Sequence, residues 1–349
     1  MSSQLLYFDR NENQYGPAPA CFDVLRGVGI EQMSVYSRDF SRGVKSILSE
    51  RLAGDFGVAE RDILLGYGAE DILKQTVHCY LGAGDRIMIP SHSWWYYKTI
   101  AEEVNGVSVE YPIVEGGESY SYDIPAMLRI YDEHKPAVVL ISSPNNPTGN
   151  ALAHDDLLRV LRHMREGIIV LDQAYWSYAS QDNNLVGDLR AEFPNLLIVR
   201  TFSKYYALAG VRIGYAVMGS NLTALEHFSA RYLGYSRLSE LIALAALDSI
   251  EYYTNITAKM EEDRDMFRRT LGALPGFTVF ESVANFVLVK MPEELCAPLK
   301  QDLTARGLIV KFMNEDELHT HMRITLGTQE QNRILADAIR AFVQERVPA

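Results

Sequence analysis

Apolar positions along the chain fall into two repeating patterns. The runs DILLG (62–66), DRIMIPS (85–91), VSVEYPI (107–113), AVVLIS (137–142), GIIVLD (167–172), LLIVRT (196–201) and RIGYAVM (212–218) are short and β-rich, and several are continuously apolar, as strands buried on both faces are. Between some of them the period lengthens. Ile72, Leu73, Val77 and Leu81 in EDILKQTVHCYL mark one helical face, and Leu157, Leu158, Leu161 and Met164 in HDDLLRVLRHMREG mark another. Strands alternating with amphipathic helices predict an α/β domain with a largely parallel sheet.

From about Leu238 the pattern changes. SELIALAALDSIEYYTNITAKMEEDRDMFRRTLGAL reads as one long helical stretch that ends at Pro275-Gly276 and joins two domains. Beyond it, FTVFES, NFVLVKM, LIVKFM and HMRITLG read as short strands accompanied by two helices, which predicts a second, smaller α+β domain. The charged run EEDRDMFRR (261–269) reads as a solvated helix face with i,i+4 pairs.

Composition narrows the function. With 349 residues, 48% of them hydrophobic, the chain is long enough for a large core, and its net charge of −12 argues against nucleic acid or an anionic membrane as partner. Cys21, Cys79 and Cys296 are far apart and odd in number, so neither a disulfide framework nor a zinc site is indicated. Asp9 and Arg10 interrupt the N-terminus before a signal-length apolar run develops, and the expected location is the cytoplasm. His319 and His321, at strand spacing, lack a third ligand nearby in sequence, and no metal is expected.

In open α/β sheets ligands bind at the carboxyl ends of strands. Three successive strand ends here carry polar groups: SPNNPTG with Asn146, DQAY with Asp172 and Tyr175, and TFSK with Thr201, Ser203 and Lys204. Arg212 follows the lysine by eight residues, and the stretch ILLGYGAED places glycines before a helix that starts near Ala69 and Glu70. Each group alone has an ordinary structural use, as turn, cap or solvated charge. Together they match the needs of pyridoxal phosphate: an amine, an acid for the pyridine nitrogen, hydrogen bonds for the phenolate oxygen and a cradle for a dianion.

FDRNENQYGP (8–17), SVYS (34–37), GYGAEDIL (66–73), SPNNPTG (143–149), LDQAY (171–175), TFSKYYALAGVRIGY (201–215), SVANFVLV (282–289), RGLIVK (306–311) and MRITLGTQEQN (322–332) match, in order and spacing, the motifs of a known family. The chain resembles the fold-type I enzymes of the class I/II aminotransferases, and most of all their histidinol-phosphate aminotransferase branch. The resemblance covers nearly the whole chain. It implies a large α/β domain (31–237) with a mostly parallel seven-stranded sheet, a linking helix with a small domain (238–349), and an N-terminal arm (1–30) on the small domain and on a partner subunit. It also implies that Lys204 holds the cofactor and moves the substrate's proton, that Asp172 pairs with the pyridinium, and that Tyr175 and Asn146 bind the phenolate oxygen. Arg212, Thr201, Ser203 and the Ala69–Glu70 backbone would hold the phosphate, joined by Tyr36 from a neighbouring subunit of a homodimer. Arg323 would hold the substrate's carboxylate or phosphate, and Tyr15 would reach the neighbouring pocket.

Two positions depart from the family pattern. PSHSWWYY (90–97) puts His92 where an aromatic residue usually stacks on the cofactor ring, the alternative being that His92 packs while Trp94 or Trp95 lines the pocket. Lys311 stands where the branch usually has an arginine that grips the substrate phosphate, and lysine lacks the planar fork. The expected activity is amino transfer from an L-amino acid or amino-phosphate donor to a 2-oxo acid. The alternative is a lyase of the threonine-phosphate decarboxylase type, which shares this scaffold and lysine.

Overall fold

In the computed structural model, which describes residues 5–180 and 182–346, the strands are β1 (Leu6–Phe8), β2 (Ile63–Gly66), β3 (Arg86–Pro90), β4 (Val107–Tyr111), β5 (Ile113–Gly116), β6 (Ser119–Tyr122), β7 (Val138–Ser142), β8 (Ile168–Asp172), β9 (Leu196–Thr201), β10 (Gly214–Met218), β11 (Thr278–Val279), β12 (Phe286–Lys290), β13 (Leu308–Phe312) and β14 (His321–Thr325). The first four residues of the N-terminal arm and the last three of the C-terminal segment lie outside the described residues.

The seven runs read as strands all join one sheet, in the order β2-β10-β9-β8-β7-β3-β4. Its pairings are parallel except for those of β10, which runs antiparallel to β2 and β9. Alternate residues of a strand point to opposite faces. Ile169 and Leu171 accordingly enter one apolar cluster, whereas Val170 enters another that also holds Ile72, Leu73 and Val77 of the helix Ala69–Tyr80. Both faces are buried, which explains the unbroken apolar runs.

The antiparallel β10 decides where the chemistry lies. Its first residue, Gly214, is paired with both Gly66, the last of β2, and Thr201, the last of β9. The segment just before β10 therefore meets the carboxyl ends of its neighbours. Arg212 sits there in a left-handed backbone conformation with φ 55°.

A second sheet has the order β1-β13-β14-β12-β11, and β1 from the N-terminal arm pairs in parallel with β13. That three-residue strand is too short to show periodicity in the sequence. The hairpin β5–β6 is likewise not expected from the sequence pattern; it links the sheets, since Lys290 bonds Glu115 at 2.8 Å and the Glu281 N–H donates to the Glu118 carbonyl at 2.8 Å.

Two readings of the C-terminal half need correction. The long helical stretch is two helices, Arg237–Leu247 and Ile250–Leu271, separated at Asp248 and Ser249. Within EEDRDMFRR, Asp263 and Arg264 are buried, not solvated. Asn332 donates to Asp263 at 2.8 Å and Arg264 donates to the Ala284 carbonyl at 2.8 Å, so these charges tie the helix to its neighbours.

Candidate active site

β7, β8 and β9 are adjacent, and their carboxyl ends carry the three polar stretches singled out above. Asp172, the last residue of β8, is 5% exposed. Burial pushes its carboxyl pKa upward, and donors from Tyr97 and from the Ala174 backbone, with the charge of Lys204, pull it back. The Tyr97 hydroxyl donates to Asp172 Oδ2 at 2.7 Å and the Ala174 N–H to Oδ1 at 2.9 Å. A hydrogen bond to a buried charged acceptor contributes about 1.5–3 kcal/mol, so these contacts hold the carboxylate in one orientation. Tyr97 lies in the helix Tyr96–Glu102 and is 1% exposed. Nothing local singles it out among the aromatics of PSHSWWYY.

Lys204 follows β9. Its Nζ donates to the Arg10 carbonyl at 3.0 Å and lies 5.9 Å from the centre of the Tyr175 ring. Burial, then the positive charges of Arg323 and Arg212, lower its pKa to about 8, against the opposing influence of Glu12 and Asp172. About a tenth of such an amine is neutral at pH 7, against about one part in three thousand for an unperturbed lysine.

Arg212, Thr201, Ser203 and the start of the helix Ala69–Tyr80 form one seat at the meeting of β2, β9 and β10. Arg212 donates to the Tyr67 carbonyl at 3.0 Å and has the Glu70 carboxylate at 3.5 Å. The Thr201 hydroxyl donates to Ser203 Oγ at 3.0 Å and accepts from the Ser203 N–H at 3.1 Å. Close approach depends on glycine: a Cβ on Gly68, whose φ is +90°, would lie 2.9 Å from Arg212 Nη2, and one on Gly214 would lie 2.7 Å from the Ala69 nitrogen. The seat thus joins a guanidinium, two hydroxyls and a helix N-terminus, which is a donor set for an oxyanion.

On the other side of Lys204, Arg323 projects from β14. It donates to Asn146 Oδ1 at 2.6 Å and to the Asp9 carbonyl, and its Nε is buried without a partner among the described residues. Lys311 is its direct cross-strand partner on β13, so the two cations share a face. Tyr175 is buried and accepts from Asn11 Nδ2 at 2.9 Å. Burial raises its pKa, while Arg323 and the Asn11 hydrogen bond act the other way.

Three further expected residues have other surroundings, although the His92 carbonyl accepts from Asn145 Nδ2 at 2.7 Å, next to Asn146. The His92 ring meets Tyr120 edge-on with centroids 6.0 Å apart and places Nε2 3.3 Å from Glu317, and burial lowers its pKa despite that carboxylate. It is Tyr97, five residues on, that reaches Asp172. Tyr15, for which the resemblance implied a reach to a neighbouring pocket, also has partners within its own chain. Its ring lies 5.5 Å from Lys259 Nζ, its carbonyl accepts from the Tyr252 hydroxyl, and its own hydroxyl is buried on the side of Asp263. Tyr36 is 69% exposed and lines a cavity of about 600 Å³ with Arg38, Arg42, Arg237 and Glu240, away from Lys204.

The two histidines near the C-terminus do not form a pair. His321 is buried on β14 and stacks on Phe280, whereas His319 precedes the strand and is exposed. Among the described residues no group of three potential metal ligands occurs, and no helix is long and apolar enough to cross a membrane.

Comparison with known proteins bears on this arrangement. A family model described as aminotransferase class I and II matches residues 42–339. A histidinol-phosphate aminotransferase of Ruminiclostridium cellulolyticum is 31% identical over 337 residues, 96% of this chain and 91% of that protein. The solved histidinol-phosphate aminotransferase from Sinorhizobium meliloti, in complex with pyridoxal-5'-phosphate, has a TM-score of 0.85 at 24% identity, covering 98% of this chain and 92% of that one. L-threonine-O-3-phosphate decarboxylase from Porphyromonas gingivalis has a TM-score of 0.80 at 22% identity, covering 97% and 100%. At those identities the structural likeness is one of fold.

Proposed function

The chain belongs to the class I and II aminotransferase family, and on that premise we propose that it carries pyridoxal 5'-phosphate on Lys204 and moves an amino group from an L-amino acid or amino-phosphate donor to a 2-oxo acid in two half-reactions. The observation that carries this reading is the gathering of Lys204, Asp172 and the Arg212 seat at adjoining strand ends, with Arg323 on the other side of the lysine.

The residues fit the cofactor. The seat around Arg212 takes the phosphate, with approach permitted by Gly68 and Gly214. Asp172, oriented by Tyr97 and Ala174, meets the pyridine nitrogen and keeps it protonated. Tyr175 and Asn146 serve the phenolic oxygen. His92 is the residue of the 90–97 segment assigned to the ring, with Trp94, whose ring lies 5.8 Å from that of Tyr97, as its competitor.

Bound pyridoxal phosphate supplies an electron sink for the pair left when a bond to the substrate Cα breaks. The protein supplies position and protons. Arg323, with Lys311 beside it, holds the donor's anionic group and so fixes which side of Cα faces Lys204. Lys204 Nζ would take the Cα proton and return it, and burial, which lowers its pKa to about 8, would favour the neutral amine that accepts that proton. The second half-reaction reverses these roles with the 2-oxo acid.

Tyr36 joins this scheme through a second copy of the chain. It cannot complete the phosphate seat of its own chain from the cavity it lines, and Ile30 and Met33 are also exposed beside it. The proposed enzyme is a homodimer in which each Tyr36 serves the partner's phosphate seat.

Addition of single L-amino acids, one at a time, to the yellow protein tests the reading. The expected result is loss of the bound cofactor's yellow band without release of carbon dioxide, and its return on adding a 2-oxo acid. Lys204→Ala is expected to abolish turnover; wild-type-like turnover in that variant overturns the proposal, and carbon dioxide release replaces transfer by the lyase reaction.

A further inference from the structure

Three consecutive residues of the N-terminal arm touch three different side chains of the site. The Asp9 carbonyl accepts from Arg323, the Arg10 carbonyl accepts from Lys204 at 3.0 Å, and Asn11 Nδ2 donates to the Tyr175 hydroxyl at 2.9 Å. Asn11 differs from the other two in using its side chain. It is 2% exposed with φ 54°, the left-handed region that asparagine tolerates better than most residues.

Every polar group of Asn11 is engaged. Its N–H donates to Thr325 Oγ1 at 2.9 Å, the Thr325 hydroxyl donates back to Asn11 Oδ1 at 3.0 Å, and the Asn11 carbonyl accepts from Asn285 Nδ2 at 3.0 Å. Thr325 ends β14, two residues after Arg323, and Asn285 lies just before β12. The side chain that touches Tyr175 is therefore pinned to the sheet that carries the substrate-side arginine. With each of its own polar groups engaged, buried Asn11 holds one arrangement, because each broken contact would strand a buried polar group.

We infer that Asn11 is a positioning residue: by donating to the Tyr175 oxygen it leaves the single phenolic proton to be donated to the cofactor's ring oxygen, and through Thr325 it sets that donor in register with Arg323. A phenol has one proton to give and lone pairs with which to accept. Asn11 takes up an accepting site, and it also makes the phenol a stronger donor by stabilising the negative charge that donation builds on its oxygen. The inference rests on the reading of Tyr175 proposed above.

A hydrogen bond donated to the cofactor's ring oxygen draws charge from it and loosens the proton shared between that oxygen and the Lys204 nitrogen. The yellow form of the bound cofactor then loses that proton at a lower pH. Weakening the donor must raise the midpoint of the spectral pH titration, a readout independent of turnover.

The test is a cycle of four holoenzymes: wild type, Asn11→Gly, Tyr175→Phe and the double variant. Glycine accepts the left-handed backbone, so the change removes the side chain without forcing φ to move. Tyr175→Phe is expected to raise the midpoint by about one pH unit, and Asn11→Gly by about half a unit with the tyrosine present and by less than about 0.2 unit with phenylalanine in its place. Asn11→Asp, which keeps the shape but can only accept, should raise the midpoint further than Asn11→Gly, and by more when the tyrosine is present than in the Tyr175→Phe background. Thermal melting of each variant confirms folding, and if Asn11→Gly does not fold, the Asn11→Asp cycle decides.

If Tyr175→Phe shifts the midpoint and neither Asn11 variant does, the inference fails while the reading of Tyr175 survives. Equal shifts from the Asn11 variants in both backgrounds also overturn it, since the residue would then act without the tyrosine. If Tyr175→Phe itself leaves the midpoint unchanged, Tyr175 does not serve the ring oxygen and both claims fall.

Discussion

On one side of Lys204 the ends of β2, β8 and β9 and the start of β10 bring Asp172, Thr201, Ser203, Arg212 and the Ala69 backbone to a single edge of one sheet. On the other side Arg323 and Lys311 come from a second sheet, and Asn11 comes from the N-terminal arm that supplies its edge strand. The first group is set by hydrogen-bonded register within a sheet buried on both faces. The second depends on how two sheets and a terminus pack, through contacts such as Arg323 to Asn146 and Asn11 to Thr325. In the proposed function the first side holds what stays bound through turnover, and the second meets the part that changes between donor and acceptor.

If the first side is the cofactor's, its charges should be indispensable. Asp172→Asn keeps the size and removes the anion that holds the pyridine nitrogen protonated. We expect kcat to fall by at least about 10³, equivalent to about 4 kcal/mol of barrier, while equilibrium dialysis still finds bound cofactor. A loss below about tenfold would break the comparison, because Asp172 would then be no more than a buried structural carboxylate.

The next largest effect concerns a residue that neither side of one chain contains. Lys204→Ala and Tyr36→Ala are each expected to be inactive or nearly so, and mixing them with subunit exchange should create heterodimers with one doubly damaged and one intact site. With random pairing, half of the dimers are mixed, so about a quarter of wild-type specific activity should return. Exchange demonstrated by mass spectrometry with no recovery would show that Tyr36 does not complete a partner's phosphate seat.

The same contrast governs what could be read from the sequence. All seven strands of the large sheet were legible because burial on both faces leaves continuous apolar runs, and the polar residues that follow such runs are then placed by a general rule about strand ends. β1 was not legible, since three residues cannot display a period. Asn11 and Tyr97 stood inside motifs noticed for other reasons, yet nothing local says that one bonds Tyr175 and the other Asp172. Tyr15 is a similar case: the motif gives its identity, but not the Lys259 ammonium that its ring meets or the Tyr252 hydroxyl that its carbonyl accepts from. Asp263 and Arg264 misled because a charged run reads as solvated unless tertiary partners, here Asn332 and the Ala284 carbonyl, are known.

The smallest effect is expected at Lys311, on the side that varies. Its register opposite Arg323 places an ammonium beside a guanidinium, so an anionic group held by Arg323 also feels a second positive charge. A carboxylate has two oxygens, and one guanidinium fork can engage both; a phosphate dianion has more oxygens than one fork satisfies, and a lysine offers it a point charge without bidentate geometry. The wild-type protein should therefore show a higher kcat/KM with some carboxylate-bearing L-amino acid than with histidinol phosphate. Lys311→Arg should shift the ratio of the two specificity constants toward the phosphate substrate by about tenfold, about 1.4 kcal/mol, roughly the difference between a point charge and a fork at one contact. Because the readout is a ratio, it is insensitive to the fraction of active enzyme and to any general loss of stability. A strong wild-type preference for histidinol phosphate that disappears in Lys311→Ala would reverse the conclusion: the ammonium would already supply what the second guanidinium was thought to add, and the substrate side would be selective for phosphate without it.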